Sequence, residues 1–154
     1  MATSQPFSPN IQRMSSALGV SKEYMYLYLD YLTSAGLFNS IYPRGVGFRL
    51  IRKPSKIYLE NPNLFYVLGE RERLAVEIGA IRESFFLNQL GKDHKVVYPQ
   101  KGDFLVDNQY LFEVGGREKD LAQIAAYKNS FLAVDNLEMG IKNKIPLYLF
   151  GLLY

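Results

Sequence analysis

The chain has no cysteine and no tryptophan, and only one histidine among its 154 residues. Without thiols there are no disulfides and no thiolate metal sites, and a lone imidazole cannot build a zinc centre. His94, beside Gly91, Lys92 and Asp93, therefore reads as an exposed loop residue, and no Ser-His-Asp arrangement can be defended. Apolar runs are short: the longest, residues 145–154, falls well below the roughly 20 residues of a spanning helix. The polar, proline-containing first ten residues lack a charged flank before an apolar stretch, so no secretory signal is read. No G-x-x-x-x-G-K-[ST] occurs, which leaves no ATP site in this chain, and Gly45-Val46-Gly47 reads as a turn rather than a phosphate loop. These absences lead to the expectation of a cytoplasmic protein with no membrane partner.

Aromatic residues are plentiful, with twelve Tyr and ten Phe, and favour strands and a packed core. The length suits one domain, or one with a small appendage. The net charge of +3 is unevenly spread. Residues 1–59 carry seven Lys/Arg against two Asp/Glu, and residues 60–154 carry eleven against thirteen. A basic first third points to an anionic partner, with nucleic acid, here DNA, as the expectation.

Residues 10–20 read as a short helix closed by Gly19, and Ser21 then caps a second helix with Glu23 in its first turn. Tyr24, Leu27, Tyr28, Tyr31 and Leu32 fall at the spacing of one buried helix face, ending at Ala35-Gly36. Extended residues from 37 to 42, a turn around residues 43–47 and further extended residues to 59 predict a β-hairpin. Helix, turn, helix and hairpin together resemble a winged helix at residues 1–60. Arg44, Arg49, Arg52, Lys53 and Lys56 lie on the wing with no acid between Tyr42 and Leu59, which suits phosphate contacts. Ser21, Lys22 and Tyr26 would be the groove-facing positions of the second helix. Its outer face also carries Asp30 and has few Arg, Asn or Gln, so base-specific reading is poorly supported.

Asn61-Pro62-Asn63 marks a junction where the charge balance changes sign. A second domain, residues 63–154, is expected to hold helices near 63–68 and 73–90. Strands follow near 95–98, 103–106, 110–114, 131–134 and 147–150, and a helix from about 119 to 129 stands between the third and fourth. Asp103 lies on one short strand and Glu113 on the next, followed by Gln123 and Tyr127 four apart. That αβββαβ order and its acids resemble the PD-(D/E)xK restriction-endonuclease fold, so the fold class expected is α+β, a winged helix followed by a nuclease-like domain.

The resemblance extends further. Residues 53–64, 81–90, the Asp103/Glu113 hairpin and Asn143-Lys144-Ile145-Pro146-Leu147 are similar to the C-terminal region of prokaryotic AAA+ superfamily ATPases that end in a domain of unknown function. In those proteins a P-loop module precedes a winged helix and a restriction-endonuclease-like domain. The resemblance implies that this chain is the C-terminal piece of such an ATPase, with the ATPase module as a partner.

In the nuclease-like reading Asp103 and Glu113 would hold a divalent metal such as Mg²⁺, Glu83 would add a third acid, and Gln123 and Tyr127 would flank the site. The lysine expected two residues after Glu113 is replaced by Gly115. Lys119, Lys128 or Lys101 would have to supply it. Three functions follow: a non-catalytic DNA-binding and targeting region, which the missing lysine favours; a metal-dependent nuclease using Asp103 and Glu113, with Glu83 as a third acid and Lys119 or Lys101 in place of the missing lysine; and a protein-interaction module for the ATPase. The apolar end of the chain, if it forms an edge strand, would also offer pairing to a second copy as a homodimer.

Overall fold

The computed structural model describes residues 7–45, 53–73 and 75–153. Arg49, Arg52 and residues 46–47 of the expected wing turn lie outside these described residues. The chain is α+β, with four α-helices and seven strands among the described residues. None of the described helices is long and apolar enough to cross a membrane.

Helix α1, Ile11–Leu18, starts where the Asn10 side chain accepts from Arg13 N at 3.0 Å. It stops at Gly19, whose φ of 65° suits a residue without Cβ. Helix α2, Lys22–Ser34, is capped by Ser21, which accepts from Tyr24 N at 3.3 Å. Strand β1, Phe38–Ile41, then pairs antiparallel with β2, Lys56–Leu59, with Phe38 opposite Leu59. Ile11, Met25, Leu29 and Ile57 form the small core between these elements.

The face of α2 that is buried differs from the expected one. Met25 and Leu29 point inward, while Tyr24 and Tyr31 are 57% and 58% exposed and Leu27 and Tyr28 are also exposed. The helix is apolar on more than one stripe, so periodicity alone does not choose. Packing of α1 and β2 against the Met25/Leu29 side decides.

Helix α3, Asn63–Glu72, and helix α4, Ile78–Leu90, lead into a five-stranded sheet. Its strands are β3 Val96–Val97, β4 Phe104–Val106, β5 Tyr110–Gly115, β6 Ser130–Val134 and β7 Lys144–Pro146, in that spatial order. The first three are antiparallel, and β5, β6 and β7 are parallel. Phe86 of α4 is the centre of the main core, with ring centroids of Phe104, Phe112 and Phe150 at 5.1, 5.0 and 4.7 Å. Ile41 and Tyr58 from the first hairpin join the same core. Val97, Leu105, Leu111 and Ile124 close the opposite face of the sheet.

Two expected elements take other forms. Residues 119–129 are not a helix but a run of tight turns. Asp120 Oδ1 accepts from Ala122 N at 3.0 Å, and Ile124 N and Tyr127 N bond to carbonyls three residues back. Only Ile124 of this segment is fully buried, with Leu121 partly so, which is too little apolar surface to anchor a helix against the sheet. Residues 147–150, expected as a strand, open a 3-10 helix, Leu147–Leu152. Leu147 and Phe150 are buried at a spacing of three, which suits that helix and excludes the alternation of a strand. This apolar segment therefore offers no edge strand to a second copy; the edge there is β7.

Candidate active site

The β4–β5 register sets Phe104 opposite Phe112, which brings Asp103, just before β4, to the end of the strand pair where Glu113 lies. Asp103 N donates to Phe112 O at 2.9 Å, and Asp103 Oδ2 accepts from Val114 N at 2.9 Å. Gly102 makes this approach feasible. Its φ is 80°, and a Cβ there would meet Ile124 Cγ2 at 3.0 Å and Phe112 O at 3.2 Å.

Glu113 is 2% exposed. Its Oε1 accepts from Lys119 Nζ at 2.8 Å, and its Oε2 has no hydrogen-bond partner. Burial works against the Lys119 charge, but the hydrogen bond and charge of Glu113, with Asp103 and Glu83 behind it, outweigh this and hold the ammonium above its ordinary range. The route of Lys119 explains the glycine at 115. A Cβ on Gly115 would lie 2.9 Å from Lys119 Cγ and 3.0 Å from its Cβ and Cδ. The Lys119 stem thus crosses the backbone where the motif lysine would be rooted. Gly116 similarly leaves room for Arg82, whose Nη1 would be 3.3 Å from a Cβ there, while Arg82 Nε donates to Asp135 Oδ2 at 2.9 Å.

Glu83 enters from α4. Its Oε2 accepts from Tyr58 OH at 3.0 Å and from Lys56 Nζ at 3.4 Å. Lys56 Nζ is also 4.0 Å from Asp103 Oδ1 and sits over the Tyr98 ring, 5.3 Å from its centroid. Burial first, and Asp103 second, raise the Glu83 carboxyl above the usual carboxylate range, against the opposing effects of Lys56 and Tyr58. Burial and the neighbouring Glu83 push the Tyr58 phenol upward, so it remains a hydrogen-bond donor.

Glu83, Asp103, Glu113 and Lys119 therefore lie in one cluster, and Lys56 joins them. Lys56 was expected among phosphate-binding wing residues; half-buried between two acids, it belongs to this cluster instead. Tyr58 was missed altogether. The only signal was alternation along β2, which puts Lys56 and Tyr58 on one side and Ile57 and Leu59 on the other. Gln123 and Tyr127 are exposed and share no helix face, because the helix that would align them is absent. Tyr127 and Lys128 line a cleft together with Arg44. Ser21 is used as a cap, Lys22 and Lys53 are exposed, and Lys101 is exposed just before the acids. His94 is an exposed loop residue; its Nδ1 lies 2.7 Å from Asp107 Oδ2, and that hydrogen bond holds Asp107 below the usual carboxylate range.

The donor set suits a hard cation. Glu113 Oε2 is buried and unpartnered, and the Asp103 carboxylate is fixed by a backbone amide. Among the described residues no group of three His, Cys, Asp or Glu side chains forms a metal cage. Two carboxylates match Mg²⁺, which keeps several waters and takes the rest of its shell from substrate oxygens. In comparisons with known proteins, the chain matches no family model, no curated protein and no solved structure.

Proposed function

We propose that the chain is a metal-dependent nuclease of the PD-(D/E)xK type in which Lys119 supplies the lysine absent at position 115. The observation that carries this reading is the 2.8 Å contact between Lys119 Nζ and buried Glu113, made across Gly115. The expectation of a non-catalytic region rested on a missing lysine, and this geometry offers one from the following turn.

A divalent cation held by Asp103 and Glu113 would polarise the phosphodiester and lower the pKa of a bound water. Lys119 would orient the attacking water and meet charge developing on the phosphate. Glu83, steered by Tyr58, would accept a proton from that water or from a second one through its raised carboxyl. The helices and hairpin before residue 60 support a winged helix that contacts the backbone of DNA through Lys22, Arg44 and Lys53 without reading bases. The resemblance to AAA+ C-terminal regions supports a place behind an ATPase module that would position the chain on its substrate.

Cleavage of labelled DNA in Mn²⁺ or Mg²⁺ tests the reading. Glu113→Ala is expected to abolish it, and Lys119→Ala to slow it about 100-fold. Adding Gly115→Lys to Lys119→Ala is expected to restore part of the rate, since the amine would then start from the strand. Cleavage that persists in Glu113→Ala, or none in either metal, would remove the nuclease reading.

A further inference from the structure

Beside the acid cluster lies a cleft of about 800 Å³, within the size range of small-ligand sites. Its walls come from four separate turns: the ends of the first hairpin, the segment after β3, the β4–β5 turn and the residues before β6. Two rings, Tyr98 and Tyr127, two cations, Arg44 and Lys128, and two amides, Gln100 and Gln109, are among the lining groups. No Asp or Glu is among its described lining residues. Tyr98 joins the cleft to the candidate site, because Lys56 sits over its ring and reaches Glu83 with the same ammonium. Leu111, which also lines the cleft, lies two residues from Glu113 on β5, and so about 7 Å along that strand on the same face.

We propose that this cleft binds an unpaired segment of nucleic acid and leads it to the acids, so that the substrate is a single strand or the frayed end of a duplex. Rings stack on bases of any sequence, cations meet the backbone phosphates, and amides bond to base edges exposed only when a base is unpaired. A lining without carboxylates suits a polyanion. The inference rests on the nuclease reading for what is done to the strand, and on the cleft alone for its binding.

The test is fluorescence anisotropy of a labelled oligothymidylate, and of its duplex with oligodeoxyadenylate, titrated with the full chain in EDTA at low salt. Binding of the single strand is expected, weakened roughly tenfold by Tyr127→Ala and by Lys128→Glu, with duplex affinity changed less. Both side chains are exposed, and unchanged thermal melts would show that the variants fold. Affinity for the single strand that neither variant alters would overturn the proposal. So would a labelled polyglutamate peptide bound as tightly, since the cleft would then be a general anion contact. Cleft-dependent binding with no cleavage in Mn²⁺ would keep this inference and remove the nuclease. Cleavage with binding indifferent to Tyr127→Ala would do the reverse.

Discussion

At the scale of single residues, the site is built by side chains that arrive from unexpected backbone positions. Gly115 and Gly116 leave space for the Lys119 stem and for the Arg82 guanidinium. Glu83 shows a different cost. Its carboxyl is raised from 4.5 by burial and by Asp103, so the folded chain takes up that proton more readily than the unfolded chain. The contribution to stability is present at acid pH and is lost as pH rises through the folded value. Glu83→Gln, which keeps an acceptor for Tyr58, is therefore expected to melt above the native protein at pH 8, with the difference closing toward pH 4. Calorimetry at the two pH values checks this, and a gap independent of pH would contradict it. Loss of cleavage in the same variant would separate function from stability.

At the scale of elements, the β4–β5 hairpin fixes the acids and the turns of residues 116–129 fix the lysine. The hairpin turn is closed by Gln109 N bonding to Val106 O at 3.0 Å, with Asp107 and Asn108 at φ of 51° and 57°. Asp and Asn tolerate those left-handed angles, which reverse the chain within the three residues between paired Val106 and Tyr110. Gly102→Ala would place a methyl against Ile124 and Phe112 O at a φ of 80°. It is expected to cost about 1–3 kcal/mol in denaturant unfolding and to shift Asp103 from Val114 N. Much of this scale was legible: the cap at Ser21, strands β4 and β5 and the end of α4 lie close to where the pattern put them, though α4 starts at Ile78 rather than near 73. The helix over 119–129 was not, because propensity favoured it and only the scarcity of buried positions opposed it. The final 3-10 helix was hidden for another reason: a run of Leu, Tyr and Phe fits a period of two or of three equally well.

At the scale of the whole molecule, β2 links the first hairpin to the site. Ile57 packs in the small core, Tyr58 in the main one, and Lys56 ends between Glu83 and Asp103. Ser84 Oγ of α4 donates to Leu59 O and ties the same strand to the helix. A metal that binds the folded site but not the unfolded chain must stabilise the whole fold, by about 2.7 kcal/mol at a concentration 100 times its dissociation constant. Mn²⁺ is therefore expected to raise the melting temperature of the native chain and to leave Asp103→Asn and Glu113→Gln unmoved. An equal rise in all three would place the bound metal elsewhere.

The sequence alone determined the mixture of helices and strands and the placing of Asp103 and Glu113 on the two sides of a short hairpin. These are local matters, set by turn chemistry, alternation and distance along the chain. Only the tertiary structure decided which face of α2 is buried, that residues 119–129 form turns, that Lys119 crosses Gly115, and that Lys56 and Tyr58 of β2 meet Glu83 of α4. The reason is physical: Lys56 and Tyr58 meet Glu83 from 27 and 25 residues away, and the other outcomes turn on which of several apolar stripes of this aromatic chain is the buried one.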